Sequence, residues 1–352
     1  MTLAKFVRRT VALRILAAAA ILLGVLQILD LLDVTTEILD RGLGIGGVAY
    51  YAALRFPRLV EQVAPLSVLA GGLFAFGQLA RESAVIAMRA TGVSVYRLIG
   101  MAAPAAVLIM LVDYATVELI APRTDPILEA WWSDTAPKTD EVPGPRPFRS
   151  GADIVVAQAS DVAGARLTDV TIYRRNETGA LAERIEAPLA TYGAGAWRLH
   201  EPKMARFTED KAMTSSAAEL IWDSKLRPAD VQVLLSPQQT PSAASARRAL
   251  EGGGSERPAS YYAVRLQQAF AGPVGILVML LLSVPVALGN FRNREGAILT
   301  VASVGAGLLF LVTDGLLNAL GEGGALSPVL AAWTAPMVFA ALATTVLLRM
   351  EG

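Results

Sequence analysis

Ionisable and amide side chains punctuate stretches of this chain that are otherwise apolar. Asp30, Asp33 and Glu37 stand at the end of the first such run, Asp113 and Glu118 in the third, and Asp314 with Asn318 in the fifth. A charge inside a lipid-compatible segment is costly and requires a partner or a water-filled cavity. Asp30, Asp33 and Glu37 follow one another at helical spacing, so a helix puts all three on one face. Arg41, Arg55 and Arg58 come soon after them, with guanidinium groups that pair either with these carboxylates or with an anionic ligand; a bridging divalent cation is a further alternative. Acids, arginines and an amide arranged in this way suit a cavity for a polar head group; the alternative is that they sit solvated at ordinary interface depth. The enzymatic alternative is a hydrolase that uses Asp33 and Asp314 as a carboxylate pair.

Little else in the chain does chemistry. Cysteine is absent, which excludes disulfides, thiolate metal sites and cysteine nucleophiles, and the single histidine, His200, removes the usual zinc clusters. His200 lies in the alternation Trp197-Arg198-Leu199-His200 and is expected in a strand. No Gly-x-Ser-x-Gly, His-Glu-x-x-His or phosphate-binding Gly-Lys-Ser/Thr motif occurs. We therefore expect no catalytic residue, no metal centre and no cofactor. Gly42 to Gly47 formally contains Gly-x-Gly-x-x-Gly, but no strand precedes it, so it is discounted as a nucleotide site. Asn176-Glu177-Thr178 matches a glycosylation acceptor, a pattern frequent by chance. Formal net charge is zero, so nothing at whole-chain level favours a nucleic-acid partner.

The elements that must position these residues follow from hydropathy. Of 352 residues, 54% are hydrophobic, which points to a membrane protein. Apolar runs at Ile15 to Leu32, Leu59 to Leu79, Val95 to Ile120, Phe270 to Leu288, Ala297 to Leu320 and Val329 to Leu348 predict six transmembrane helices. Pro273 and Pro285 predict bends in the fourth. The first run follows Lys5, Arg8, Arg9 and Arg14 but lacks a convincing cleavage site, so it is read as a retained helix. Val34 to Arg58 is expected as a short external segment.

Between Pro122 and Ala263 the character changes, with 36 of the chain's 62 charged residues. Short runs with strand character (Asp153 to Ala159, Thr168 to Arg174, Arg184 to Tyr192, Ala196 to Phe207, Glu219 to Trp222 and Val231 to Leu235) predict an inserted all-β sandwich or jelly roll. Thr135 to Gly151 and Ser236 to Ser260 read as linkers around it. The domain organisation is then 1–121 with three helices, 122–263 with the β-rich domain, and 264–352 with three more helices. Basic residues in the short connections (Arg81, Arg89, Arg97, Arg292, Arg294, Arg349 and the N-terminal cluster) fall on one side, which is then cytoplasmic, with both termini. The β-rich domain faces the other side. Asp30, Asp33, Asp113, Asp314 and Asn318 occupy the outer thirds of their helices, an arrangement that suits a cavity admitting an amphiphile sideways.

One charged insert, Ala80 to Ser94, separates the second and third runs. A helix over about 81–92 extends only about 18 Å and does not cross a bilayer. Glu82, Ile86 and Arg89 share one face, Val85 and Met88 lie beside them, and Gly92 stands where a helix stops. The insert is either a docking knob for a soluble partner or an interfacial connector that touches nothing.

This layout, with Ala87-Met88-Arg89-Ala90-Thr91-Gly92-Val93-Ser94 in the insert, Pro273 to Leu288 followed by Gly289 and Arg292, and Trp197-Arg198-Leu199 in the β domain, resembles the LptF/LptG (YjgP/YjgQ) permease family across essentially the whole chain, on its LptG-like side. The resemblance implies a multi-pass protein of the bacterial inner membrane, without an ATPase site of its own, that extracts lipopolysaccharide from the outer leaflet. Implied partners are an LptB-like ATPase, an LptF-like paralogous permease forming a heterodimer, LptC/LptA-like periplasmic jelly-roll proteins, lipopolysaccharide and membrane lipids. It makes the insert a coupling helix whose ATPase contacts are Glu82, Val85, Met88, Arg89 and Gly92. It also places Asp30, Asp33, Arg41, Arg55, Asp314 and Asn318 along the lipid path, with the first and fifth helices as a lateral gate. Two departures stand out. Thr35, Thr36 and Glu37 occupy the place where LptG-like chains often carry lysines, and Ala84 stands near a position that is commonly acidic. A membrane-anchored sensor or scaffold with a ligand-binding β domain is the competing reading of the same layout.

Overall fold

A computed structural model of the protein describes residues 3–135, 145–151, 153–159, 164–176, 180–208, 211–235, 241–289 and 295–351. Two long helices open the chain, α1 (Leu3–Asp40) and α2 (Gly44–Arg81), each of 38 residues. At 1.5 Å per residue each is about 57 Å long, well beyond a hydrocarbon core of about 30 Å. The expected external segment Val34 to Arg58 is therefore helical at both ends. Hydropathy marks where lipid stops, and a helix continues past that point if nothing breaks it. Arg41 pairs with Glu37 one turn back at 2.5 Å and supports the last turn of α1. Gly42 and Gly44, at φ 75° and 60°, then reverse the chain, so the glycine patch is a helical hairpin.

The insert forms a short helix, α3 (Ala84–Ala90). It is followed by α4 (Val95–Ala115), a π-helical turn (Thr116–Ile120) and α5 (Ala121–Asp134). The third span thus runs on as helix to Asp134 instead of stopping at Ile120.

The chain divides into two compact units, Met1–Thr124 with Gln267–Gly352, and Asp125–Leu266. In the second unit, eight strands make one antiparallel sheet: β1 (Arg146–Ser150), β2 (Asp153–Ala159), β3 (Arg166–Arg175), β4 (Leu181–Gly193), β5 (Ala196–His200), β6 (Lys203–Thr208), β7 (Lys211–Ser216) and β8 (Glu219–Trp222). β1 to β4 form a meander, and β4 then forks. Its residues 183–186 pair with β6 while residues 189–193 pair with β5. Pro188 sits at the fork, opposite Asp169 at φ 51°. There the buried positions skip from Ile185 and Ala187 to Ala190 on β4, and from Leu167 to Val170 and Ile172 on β3. The expected run Ala196 to Phe207 is accordingly two strands, parted by Glu201 and Pro202. His200 is a strand residue, its Nε2 2.9 Å from Thr191 Oγ1.

The apolar side of this sheet carries Trp197, Trp222, Leu199 and Ile172, and α6 (Pro228–Leu235) packs Val231 and Leu234 into the same core. Val231 to Leu235 is thus a helix and not the expected strand. Pro228 suits a first helical position, and Asp230 accepts a hydrogen bond from the Arg227 N–H, as a capping residue does. The two buried indoles are satisfied, Trp197 Nε1 by Leu226 O at 2.9 Å and Trp222 Nε1 by Asp153 Oδ2 at 3.2 Å. Asp153 and Glu183 also accept from Arg174, and hydrogen bonding to Asp153 raises the Arg174 pKa. The expected linkers are partly structured: β1 lies in the first, and α7 (Ala243–Leu250), capped by Ser242, in the second. Ser255 there exchanges both backbone hydrogen bonds with Arg149 of β1. The Asn-Glu-Thr site at 176–178 lies mostly outside the described residues.

The remaining helices are α8 (Ala259–Ser283), α9 (Pro285–Leu288), α10 (Glu295–Glu322) and α11 (Pro328–Glu351). The fourth span breaks before Pro285, whereas Pro273 sits within uninterrupted α8. Arg292 and Arg294 lie outside the described residues. Among the described residues six helices are long and apolar enough to cross a membrane, and α2 and the α8–α9 span are the most enclosed of them, with 67% of the apolar window buried against 11% for α1. Two glycines permit this packing. A Cβ on Gly71 would lie 2.4 Å from Ile15 Cα, and one on Gly72 would lie 2.3 Å from Ser283 Oγ.

Candidate functional site

The insert is built as a rigid protrusion. α2 ends at Arg81, and Ser83, at φ 57°, turns the chain directly into α3. At the far end the Val93 N–H bonds Met88 O and the Gly92 N–H bonds Arg89 O, a Schellman closure around Gly92 at φ 81°. Ser94 then caps α4 by accepting from the Arg97 N–H. Such a short helix is not stable alone, so tertiary anchoring must hold it. Val85 and Met88, 4% and 6% exposed, provide that anchoring in the helical core. Ile86, at 69% exposed, turns away from the core, and Glu82 and Arg89 are exposed as well.

The residues expected to contact an ATPase therefore separate into two sets. Arg89 is exposed on α3 with Ile86, whereas Glu82, also exposed, is the C-cap of α2 and precedes the expected helix, which starts only at Ala84 and not near position 81. Val85 and Met88 are roots, and Gly92 terminates the helix. Glu82 is also engaged within the chain: Gln78 Nε2 donates to its Oε1 at 2.8 Å, while Gln78 Oε1 accepts from Arg14 Nε and Nη2 at 3.2 and 2.7 Å.

At the opposite end of α1 and α2, Arg55 Nε donates to Asp30 Oδ1 at 3.2 Å, with the two side chains 34% and 17% exposed. Tyr51 hydrogen-bonds Asp30 from the preceding turn of α2, and exposed Asp33 lies within electrostatic range of that tyrosine. Arg41 pairs with Glu37, and buried Arg58 donates to Glu61 Oε2 at 3.0 Å. On α10, Asn318 Nδ2 donates to Asp314 Oδ2 at 3.0 Å, with Asn318 only 5% exposed. Asp314 is thus partnered by Asn318, and among the described residues no hydrogen bond links it to Asp33, its companion in the hydrolase reading. Asp113 on α4 is 8% exposed and its Oδ1 has no hydrogen-bond partner. Among the described residues no group of three or more His, Asp or Glu side chains is arranged to hold a metal ion.

The structure brings together Asp30, Arg55 and Asp33 from the expected set, and separately Asp314 and Asn318. Sequence reasoning missed Tyr51, Glu61 and Gln78. Glu61 was visible as an acid three residues after Arg58 at the edge of an apolar run. Gln78 gave only a weak signal, a neutral amide four residues before Glu82.

Comparison with known proteins adds an independent line. A family model described as lipopolysaccharide export system permease LptF/LptG matches residues 5–349. The chain is similar to the lipopolysaccharide export system permease protein LptG of Escherichia coli K12, 20% identical over 98% of this chain and 97% of that protein. It is also similar to the protein of the same name from Haemophilus influenzae, 22% identical over 90% of each. Six membrane-compatible helices, a β-sheet unit between the third and fourth, and a match running almost end to end converge: the chain belongs to the LptF/LptG family of lipopolysaccharide export system permeases.

Proposed function

We propose that this chain is the permease subunit of an ATP-driven exporter that lifts lipopolysaccharide out of the outer leaflet of the inner membrane. A separate cytoplasmic ATPase of the LptB type seats on α3, and a second six-helix chain of the LptF type completes the lipid path. Both termini and α3 are cytoplasmic. The β-sheet unit hands the lipid to periplasmic jelly-roll proteins of the LptC and LptA type. The observation that carries this reading is the construction of α3, rooted by Val85 and Met88 and presenting Ile86 and Arg89 outward, with exposed Glu82 just before it. Ile86 beside Arg89, with Glu82 just before the helix, offers an apolar contact flanked by a guanidinium and a carboxylate, which suits a groove on a soluble partner.

At the other end, Asp30, Arg55 and Tyr51 form a polar group that suits an amphiphile's head group, with Asp33, Asp314, Asn318 and Arg41 as further contacts. The exposed apolar stripe of α1, Ile21, Val25, Ile28 and Leu32, supplies a surface for acyl chains or a second permease. The test is purification with the ATPase co-expressed. Arg89→Glu is expected to abolish ATPase recovery and lipopolysaccharide release while the chain itself still inserts. Unchanged recovery and release would remove the docking assignment.

A further inference from the structure

Arg14, Gln78 and Glu82 form a hydrogen-bonded chain that crosses from α1 through the last turn of α2 to the base of the insert. Its middle member is an amide, which both accepts and donates: Oε1 takes two N–H bonds from Arg14 and Nε2 gives one to Glu82. A carboxylate at position 78 would serve only the first link, and an aliphatic residue neither.

The place of this chain in the fold gives it leverage. α1 and α2 come together closely where Gly71 meets Ile15, with no room for a Cβ between the backbones. Gln78 lies two turns from that crossing, about 10 Å along α2. On the far side of the crossing the same two helices are joined by Asp30 and Arg55. The pair is thus clamped at both ends around a close-packed pivot, and the clamp next to α3 is the one that shares a residue with the insert's outward surface. α1 is also the least enclosed of the six spans, so it has the least packing to resist a tilt.

We infer that Gln78 is a positioning residue that couples the insert to α1. A cation of a docked partner that takes the Glu82 carboxylate competes with Gln78 Nε2. The amide, released on one side, then loosens its hold on Arg14 and frees the inner end of α1 to move about the Gly71–Ile15 crossing. This inference rests on the docking reading of α3 given above.

The experiment uses the full chain reconstituted with its ATPase and permease partner, and reads ATPase recovery, ATP hydrolysis and lipopolysaccharide released per ATP on assembled complexes. Gln78→Leu is expected to leave ATPase recovery intact and to lower lipid released per ATP by about 5-fold or more, the lower range for coupled sites. Gln78→Glu is expected to do the same, and adding Glu82→Gln to it re-forms both links but leaves the ratio low, because no carboxylate then remains at position 82 for the partner's cation to take. An unchanged ratio in Gln78→Leu, or a normal ratio in the double variant, overturns the inference. A second measurement is independent of the ATPase. The natural chain has no cysteine, so spin labels on Arg9→Cys and Ala90→Cys report the distance between α1 and α3 cleanly. Gln78→Leu is expected to broaden that distribution, and an unaltered distribution overturns the relay. If the chain without these substitutions recovers no ATPase, the docking reading fails, and the spin-label measurement still decides whether the relay exists.

Discussion

Replacing Ile86 and Met88 by alanine, one at a time, separates the outward face of α3 from its root. Ile86 is 69% exposed, and full burial of an isoleucine side chain is worth about 1.5–3 kcal/mol, so seating it in a partner's groove is worth about 1–2 kcal/mol. At 1.4 kcal/mol per tenfold, Ile86→Ala weakens ATPase docking by about 5- to 30-fold. Its effect on the stability of the chain alone stays within about 0.5 kcal/mol, as for ordinary surface changes. Met88 is only 6% exposed and belongs to the helical core, so Met88→Ala costs about 2–5 kcal/mol of folding stability. The assay is paired: thermal unfolding of the detergent-solubilised chain followed by tryptophan fluorescence, and titration of the ATPase against the immobilised chain. Ile86→Ala is expected to shift only the titration, Met88→Ala chiefly the melting curve. If Ile86→Ala leaves the binding curve unmoved, or if it melts the chain as Met88→Ala does, the assignment of the two faces is wrong.

Three further outcomes follow from the structure. Arg55→Met leaves Asp30 without its guanidinium in a half-buried place; we expect about 1–2 kcal/mol of destabilisation, less than the 3–5 kcal/mol of a fully buried pair, and substantial recovery of melting temperature in Arg55→Met with Asp30→Asn. Gly71→Ala forces a methyl group against the Ile15 backbone, which costs about 1–3 kcal/mol by overpacking and is expected to lower the melting temperature, whereas Gly100→Ala, at a helical position with open space around it, does not. In the β-sheet unit, burial pushes the Asp230 carboxyl upward, and Arg248 and the Arg227 N–H pull it back only in part. The folded state then binds the proton more tightly than the unfolded one. Asp230 therefore favours the fold fully below the ordinary aspartate range, and that contribution is lost as pH rises through the elevated folded value. Urea titrations of the full chain across this range, read at Trp197 and Trp222, should show a slope that flattens in Asp230→Asn.

How much was legible in the sequence depends on what kind of signal each element leaves. The spans are bulk properties: twenty apolar residues in a row have few alternatives, and six such runs were found as six helices. The ends of α1 and α2 left no such mark, because Glu37 and Arg41 look like loop residues until their helical spacing is weighed. Val231 to Leu235 was assigned by its apolar character, which a buried strand and a buried helix share. The deciding signal stood just upstream, in Pro228 and Asp230, a helix start. In the insert, periodicity put Glu82, Ile86 and Arg89 on one face of one helix, but Ser83 at φ 57° breaks that register, so Glu82 caps α2 and only Ile86 and Arg89 lie on α3. Periodicity was silent on which side faced the core, since Val85 and Met88 are as apolar as Ile86 and only the neighbouring helices settle the matter. The α1–α2 contacts split along similar lines. Asp30 announced itself as a charge in an apolar run, but Tyr51 and Gln78 did not, because neutral polar side chains are unremarkable there.

That asymmetry bears on how a membrane machine of this kind can work. The polar links identified between α1 and α2 are not deeply buried: Asp30 and Arg55 are 17% and 34% exposed, and Arg14, Gln78 and Glu82 lie at an accessible end. Links of this kind contribute little net stability, because water or a competing group replaces them at small cost. The large terms are elsewhere, in the packing of Val68, Phe76 and Met279 and in the close approach at Gly71. A ligand or partner that had to break that core would need far more binding energy than one interface supplies. Exchanging one surface carboxylate's partner at the α3 end, or one arginine's at the Asp30 end, lies within the 1–3 kcal/mol over which distant sites are usually coupled. The fold therefore places its strongest contacts where the two helices must stay together, and its most exchangeable ones at the ends a partner can reach.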